Sequence, residues 1–344
     1  MGYAAEKKKV ERKIRKVRLI VSFAVTAVLI CVLVFSFIVP PQTWKYYVAQ
    51  PTLSKREAGD MRLHFIDVGQ GDASLIELPD GKVMLLDGGD GSKQANKALL
   101  RHILALDIKK INYLVATHAD GDHVGGLAEV LDVIEVEHVY LPLFAEEEND
   151  AYQAFLAQLT KRKITSSYAA PPNAADARGV LSVTEGEYPY TVAFISPRMA
   201  LVNGKEDKPK EDNDASVVAW VDYQGQSALF TGDASAELEE RLIEDADAGT
   251  LENYGVYLHD TEILKVAHHG SATSTSSAFL QYLQVETAVI SCGVNNIYSH
   301  PSGEMLKRLE TKGVKTLRTD VNGSVIITLK ADGTRYVQAL GKAA

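Results

Sequence analysis

Cysteine is nearly absent from this sequence. Two cysteines occur among its 344 residues, and Cys31 lies in a long apolar run far from Cys292 in the polar part of the chain. A disulfide framework is therefore excluded, and a folded domain has to rest on its own apolar core. With 46% hydrophobic and 8% aromatic residues, the composition supplies such a core and excludes a disordered or collagen-like chain.

Charge is missing from one long segment. The 21 residues from Leu19 to Val39 contain no charged side chain, and Trp44, Tyr46 and Tyr47 follow them. A helix of this length reaches roughly 30 Å, the thickness of a bilayer's hydrocarbon core. The pattern predicts a basic head at residues 1–18, a membrane anchor at 19–39 and a linker at 40–60.

Positive charge is in excess before this segment, and negative charge is in excess after it. Residues 7–18 carry eight basic side chains and one acid, which leaves a net charge of −16 on the rest of a chain whose total is −9. The basic head predicts a cytoplasmic amino end and a single-pass protein whose later residues lie outside the cell membrane. A cleaved signal peptide is the alternative, but the apolar run exceeds the usual ~7–15 residues and no small-x-small site follows it.

The acidic remainder disfavours broad binding of polyanions, so a nucleic-acid substrate would require a local site. From Met61 onward, short β-like runs alternate with helical stretches, which indicates one α/β domain at residues 61–344. Predicted helices span Ala95–Leu106, Tyr152–Lys161 and Ala236–Asp245, and predicted loops span Pro171–Gly179 and Asn203–Asn213. The apolar strands end at polar clusters, which places chemistry at the strand ends.

The densest polar cluster is THADGDHVGG, directly after the apolar run INYLVA. His118, Asp120, Asp122 and His123 fall within six residues of it. Imidazole nitrogens and carboxylate oxygens both coordinate divalent metals, and a tight loop after a strand aims such groups at one or two cations. Two weaker signals follow at predicted strand ends: Asp233 in FTGD, and His268 with His269 in LKVAHHGS. Alone, either would be read as a turn.

Together these motifs resemble the metallo-β-lactamase superfamily, whose HxHxDH motif is matched by HADGDH with Asp120 in place of the second histidine. Within it, the sequence is similar to the hydrolase domain of ComEC-type DNA-uptake proteins and its stand-alone relatives. The matching motifs, in order, are FIDVGQGDASLIE (65–77), LLDGG (85–89), THADGDHVGG, NDASVV (213–218), FTGD, LKVAHHGS and CGVNNIYSHP (292–301).

The resemblance implies an αββα sandwich that holds two divalent metal ions at one edge. It places His118 and Asp120 on one cation, puts Asp122, His123 and His268 on the other, and makes Asp233 the bridge. Asp87 would orient the ligands from behind. His269 would contact substrate or donate to the backbone.

The third histidine motif of lactamase-type members is missing, and NDASVV stands in its place. Asn213 and Ser216 would line the pocket instead. A first cation site that is richer in oxygen shifts the metal preference from zinc toward manganese.

The mechanism that this centre implies is hydrolysis of a phosphodiester by metal-activated water. Asp122 would accept a proton from the water, and His300 or a water would protonate the leaving oxygen. The Gly-rich loop with Asp67, Gln70 and Asp72 is a candidate phosphate contact, as is Asn295. His300 also has a simpler interpretation as an exposed turn residue before Pro301.

The leading hypothesis is a membrane-anchored nuclease that acts on DNA. One anchor excludes a channel. The alternatives are a phosphodiesterase for envelope polymers of the teichoic-acid type, a lactonase or lactamase, which the missing histidine motif disfavours, and a non-catalytic metal-bearing domain that holds a partner. The intact ligand set argues against the last of these.

Overall fold

The structure is a computed structural model that describes residues 2–145, 149–169, 179–183, 186–197, 200–202, 205–207 and 212–341. The chain divides into two compact units, residues 1–49 and residues 50–344. In the first unit, helix α1 (Gly2–Ile38) is followed by a 3₁₀ turn (Pro41–Tyr46). Within residues 6–37 this helix is long and apolar enough to cross a membrane, and its apolar 18-residue window has a mean hydropathy of 2.8. The helix includes the basic head because Lys and Arg are good helix formers.

The second unit alternates strands and helices, as the sequence predicts. Its strands are β1 (Met61–Phe65), β2 (Ser74–Glu77), β3 (Val83–Leu86), β4 (Lys110–Val115), β5 (Glu135–Pro142), β6 (Thr165–Ala169), β7 (Val180–Val183), β8 (Tyr190–Ser196), β9 (Ala200–Val202), β10 (Lys205–Asp207), β11 (Val218–Tyr223), β12 (Gln226–Phe230), β13 (Ile263–Lys265), β14 (Thr287–Ile290), β15 (Lys315–Arg318), β16 (Val325–Leu329) and β17 (Arg335–Ala339). Its helices are α2 (Lys93–Ala105), α3 (Gly121–Val124), α4 (Leu127–Val133), α5 (Asp150–Arg162), α6 (Ala236–Asp247), α7 (Ser277–Tyr282), α8 (Gly303–Lys312) and α9 (Thr319–Asn322).

Most strands belong to two sheets. The first has the order β17-β16-β1-β2-β3-β4-β5-β6, and the second has the order β15-β14-β13-β12-β11-β8-β7. Their apolar faces share one core, in which the ring of Phe65 from the first sheet stacks on Phe230 from the second at 5.6 Å between centroids. A separate apolar cluster joins the second sheet to helices α6, α7 and α8. The predicted αββα sandwich is confirmed.

The predicted helices agree with the structure to within a few residues, and serine or asparagine side chains cap their amino ends. Ser92 accepts a hydrogen bond from Ala95 N at the start of α2, and Asn149 and Ser235 cap α5 and α6 in the same way. Within the predicted loop Asn203–Asn213, residues 205–207 differ from the prediction, because they pair with β9 as strand β10. The predicted loop Pro171–Gly179 lies, except for its last residue, outside the described residues.

Helix α6 supports the loop that carries the two adjacent histidines. Glu239 of this helix is fully buried, and its carboxylate accepts hydrogen bonds from the backbone amides of Thr275 and Ser276. Burial opposes ionisation and raises the pKa of Glu239 from 4.5 to about 7, although those bonds and Arg308 act in the opposite direction. The loop after β13 is therefore held by a carboxyl group that titrates near neutral pH.

We expect this group to make folding stability depend on pH. Because its pKa is raised on folding, its contribution is complete below about pH 4.5 and is lost as the pH rises through about 7. The loss is on the order of 3 kcal/mol. Urea unfolding of the full chain at pH 5, 6, 7 and 8 should show this decline, and Glu239→Gln should flatten it. If the free energy of unfolding depends equally on pH in the native protein and in Glu239→Gln, Glu239 is not the group responsible.

Candidate metal centre

The polar clusters of the sequence meet at one edge of the sandwich. Asp87 follows β3 and His118 follows β4, while Asp233 and His269 follow β12 and β13. Strands β3 and β4 are parallel neighbours in the first sheet, and β12 and β13 are parallel neighbours in the second. Since parallel strands end at the same edge, the segments that follow them converge there.

His123 is fixed by the carboxylates on either side of its ring. Its Nδ1 lies 2.8 Å from Asp87 Oδ2, and its Nε2 lies 3.2 Å from Asp233 Oδ1. The ring is fully buried. An Nδ1–H that donates to Asp87 leaves Nε2 facing Asp233, and this nitrogen would ligate a metal after losing its proton.

His269 has the same arrangement with different partners. Its Nδ1 donates to the carbonyl oxygen of Ser291 at 3.0 Å. Its Nε2 lies 3.2 Å from Asp122 Oδ2 and 3.6 Å from Asp233 Oδ2. The Nε2 atoms of His123 and His269 therefore face the two oxygens of a single carboxylate, Asp233.

His118 completes the set through a chain of hydrogen bonds. The Thr117 hydroxyl donates to Asp87 Oδ2 at 2.7 Å and lies 3.0 Å from His118 Nδ1. Because its proton is committed to Asp87, the hydroxyl accepts the Nδ1–H of His118. The Nε2 of His118 then points toward Asp120, whose nearer carboxylate oxygen is 3.5 Å away.

These three histidines present buried nitrogens that have no hydrogen-bond partner. The Nε2 atoms of His118, His123 and His269, and Oδ1 of Asp233, are all buried and unpaired within the described residues. Leaving such groups unpaired is costly. Ligand atoms of Asp72, His123, Asp233 and His269 lie within 4.8 Å of one another. The donor set therefore fits divalent metal ions.

The charges in this cluster stabilise one another. Burial opposes the charged form of His123, yet the carboxylates of Asp233 and Asp87 hold its pKa well above its ordinary value. Burial likewise opposes ionisation of Asp233, but His269 and His123 keep its pKa well below its ordinary value. Burial also opposes ionisation of Asp122, but the nearby His269 and His123 keep its pKa below its ordinary value. The carboxylates are therefore ionised, as metal ligands must be.

His268 lies at the rim of the cluster. Its Nε2 is 3.8 Å from Asp233 Oδ2, its side chain is 30% exposed, and its ring packs edge-on against His300 at 5.5 Å. His268 and His269 both have left-handed backbones, with φ of 50° and 51°, so the chain turns sharply and one imidazole points inward while the other stays at the rim. The motif predicts that His268 is the ligand, whereas the geometry places His269 among the converging ligands.

The Gly-rich loop before β2 lies against the THADGDH segment. A Cβ on Gly71 would lie 2.3 Å from the carbonyl oxygen of Asp122, so only glycine permits this approach. The approach brings in Asp72, whose buried carboxylate forms an ion pair with Lys265. Asp67 Oδ1 accepts from Gly69 N at 3.3 Å within its own loop, and Gln70 Oε1 accepts from Gly293 N at 3.2 Å.

The remaining predicted residues lie around this centre in different ways. Ser216 Oγ accepts a hydrogen bond from Asp233 N at 3.2 Å. Among the described residues, buried Asn213 Oδ1 and His300 Nδ1 have no hydrogen-bond partner. Asn295 is exposed.

Three residues that organise the site were not predicted from the sequence. Thr117 links Asp87 to His118, and Lys265 pairs with Asp72. Asn296 fixes the His300 loop, because its side chain accepts from His300 N at 3.0 Å and donates to Gly293 O at 2.9 Å. Lys265 belongs to the motif LKVAHHGS, and Thr117 belongs to the motif THADGDH. Membership of these motifs was the sequence signal that could have identified both residues.

Residues 66–294 match the sequence model of the metallo-beta-lactamase superfamily. The chain is 29% identical over 290 residues to ComE operon protein 3 of Bacillus subtilis (strain 168), which covers 80% of this chain and 33% of that protein. It is 28% identical over 269 residues to competence protein ComA of Neisseria gonorrhoeae, which covers 78% and 32% respectively. The chain thus spans about a third of the length of these relatives.

Among solved structures, the fold is similar to Igni18, a metallo hydrolase from the archaeon Ignicoccus hospitalis KIN4/I. The identity is 16% and the TM-score is 0.42, over 81% of this chain and 98% of the other.

Proposed function

Because the chain belongs to the metallo-beta-lactamase superfamily, we propose that it is a membrane-anchored, metal-dependent phosphodiesterase that cleaves DNA outside the cytoplasmic membrane. The observation that carries the hydrolase assignment is the convergence of two imidazole nitrogens, Nε2 of His123 and Nε2 of His269, on the carboxylate of Asp233, both of them buried and unpaired within the described residues. Two relatives are named ComE operon protein 3 and competence protein ComA, and together with the resemblance of the motifs to DNA-uptake proteins they support a role with DNA.

The residues present would hold two divalent cations. His118 and Asp120 would bind one, Asp122, His123 and His269 would bind the other, and Asp233 would contact both. Such cations polarise a phosphoryl oxygen and lower the pKa of a water, which makes hydroxide available near neutral pH. Three carboxylates among these ligands favour manganese over zinc.

The chain's own groups then handle the protons. Asp122 is half-buried at the mouth, and its lowered pKa keeps it ionised, so its carboxylate would accept a hydrogen bond from the attacking water and orient it. Burial and the nearby His268 and His269 lower the pKa of His300. His300 is therefore mostly neutral at pH 7, and we assign it a hydrogen bond to the leaving oxygen, with a water supplying the proton.

An exposed ring beside the site favours nucleic acid over a polyol phosphate. Tyr298 is 58% exposed and stacks on His300 at 5.8 Å between centroids with an interplanar angle of 27°. Ile297 and Val294 next to it are exposed as well. Exposed aromatic side chains bind nucleobases by stacking, and a teichoic acid backbone has no aromatic group to stack.

We therefore expect Tyr298→Ala to raise the KM for a single-stranded oligonucleotide by ~10-fold, because base stacking on an aromatic side chain is worth ~1–3 kcal/mol. Tyr298→Phe should retain the native KM, and an oligonucleotide with abasic sites around the cleaved bond should not distinguish Tyr298→Ala from the native protein. The assay is Mn²⁺-dependent cleavage, with teichoic acid as a parallel substrate. Faster cleavage of teichoic acid, or equal KM values for both variants, would contradict the nuclease assignment.

The topology has its own test. With the basic head inside and residues 50–344 outside, protease added to intact cells should degrade the second unit and spare a tag at the amino end. Cells opened with detergent provide the control, in which both parts become accessible. Protection of the second unit in intact cells would show that the orientation is reversed.

A further inference from the structure

A buried lysine stands directly behind the proposed metal centre. Lys265 is the last residue of β13 and is 2% exposed. Its ammonium group contacts the carboxylate of Asp72 and donates to the carbonyl oxygen of Gly232 at 3.2 Å. Lysine is almost never buried without a partner of opposite charge. Here the partner is itself a potential metal ligand.

Asp72 approaches the two central histidines at their Nδ1 atoms, although one of its oxygens also lies within 4.8 Å of ligand atoms of His123, Asp233 and His269. Its Oδ2 lies 3.8 Å from His123 Nδ1, and its Oδ1 lies 3.7 Å from His269 Nδ1. The Nε2 atoms of both rings point the other way, toward Asp233. Asp72 therefore sits near the ligands without sharing their direction.

Lys265 also reaches the ligand loop itself. Gly232, whose carbonyl oxygen accepts from its ammonium group, directly precedes Asp233. The neighbouring Thr231 hydroxyl donates to Lys265 O at 2.6 Å, so the end of β13 and the loop after β12 are linked twice. The pair thus connects the Asp72 loop to the segment that carries Asp233.

We propose that Lys265 is a positioning residue that, with Asp72, forms a neutral pair, sets the net charge of the metal centre and keeps Asp72 from becoming a ligand. The proposal rests on the metal centre assigned above. Removing Lys265 and removing Asp72 change the local charge in opposite directions, so the proposal predicts opposite changes in metal affinity. Structural damage would weaken metal binding in both variants.

The test is the dissociation constant for Mn²⁺, measured on the full chain in detergent by competition with a chelating dye. Lys265→Met leaves an extra negative charge beside the cations, and we expect Mn²⁺ to bind ~10-fold more tightly or better. Asp72→Asn leaves an extra positive charge, and we expect binding to weaken by ~10-fold or more. The double variant should return close to the native value.

Lys330→Met is the matched control. Lys330 also pairs with a carboxylate, Asp60, at 2.8 Å, but this pair lies before β1, at the other end of that strand from the Asp72 loop. The substitution removes the same charge and should leave Mn²⁺ binding unchanged. Thermal unfolding of every variant verifies that it is folded.

The outcomes separate the possible failures. Weaker binding in both single variants, with the double variant weakest, would show a purely structural pair and overturn the proposal. Unchanged binding in both would overturn it as well. If Lys265→Met does not fold, the test is whether Asp72→Asn weakens Mn²⁺ binding and the double variant restores it. If the native chain binds no Mn²⁺, the proposed metal centre itself fails.

Discussion

Asp233→Asn is expected to lower the rate of phosphodiester cleavage by at least ~100-fold and to reduce the metal content of the protein. The carboxylate is buried, and its two oxygens face different histidines, with Oδ1 3.2 Å from His123 Nε2 and Oδ2 3.6 Å from His269 Nε2. Asparagine keeps the shape and removes the negative charge that balances two cations.

The measurement combines elemental analysis with the cleavage rate of bis-p-nitrophenyl phosphate in Mn²⁺. Asp222→Asn is the control, because Asp222 lies within β11 of the same sheet, and its pKa is raised chiefly by burial and not by any residue of the centre. It should retain native metal content and rate. Two bound metals together with near-native turnover in Asp233→Asn would exclude Asp233 as the shared ligand.

The adjacent histidines are expected to behave very differently. His269→Ala should reduce the cleavage rate by ~100-fold or more and remove one equivalent of metal, because its Nε2 is buried and unpaired among the ligands. His268→Ala should keep both metals and lose ~10-fold or less, because its ring is partly exposed at the rim.

Each variant serves as the control for the other, since both change one imidazole in the same turn. The comparison uses metal content and rate measured on the same preparations. If His268→Ala loses the metal and His269→Ala keeps it, His268 is the ligand, as the motif predicts, and His269 is not.

The sandwich and the location of its site can be predicted from the sequence, because the sequence pattern shows where the strands end. Apolar runs such as INYLVA end at polar clusters, and parallel strands bring those clusters to one edge. The direction of an individual side chain is not visible in the same way. Whether His268 or His269 points inward depends on two successive left-handed residues, and that conformation is imposed by packing and not by the residue types.

The burial of Lys265 could not be predicted from the sequence either. At the end of a short strand a lysine reads as a solvated charge, because lysine is mostly exposed. Its burial depends on Asp72, which lies almost two hundred residues earlier and reaches it only because Gly71 permits the close approach to Asp122. Contacts between segments so distant in the chain depend on the completed fold.

The central claim, a metal-dependent phosphodiesterase that acts on DNA, is tested most directly by one measurement. The full chain, purified in detergent and freed of metal by a chelator, is incubated with single-stranded DNA before and after addition of Mn²⁺. We predict no cleavage before the addition and rapid cleavage after it. Cleavage that survives the chelator, or a protein that binds Mn²⁺ and leaves the DNA intact, would contradict the account.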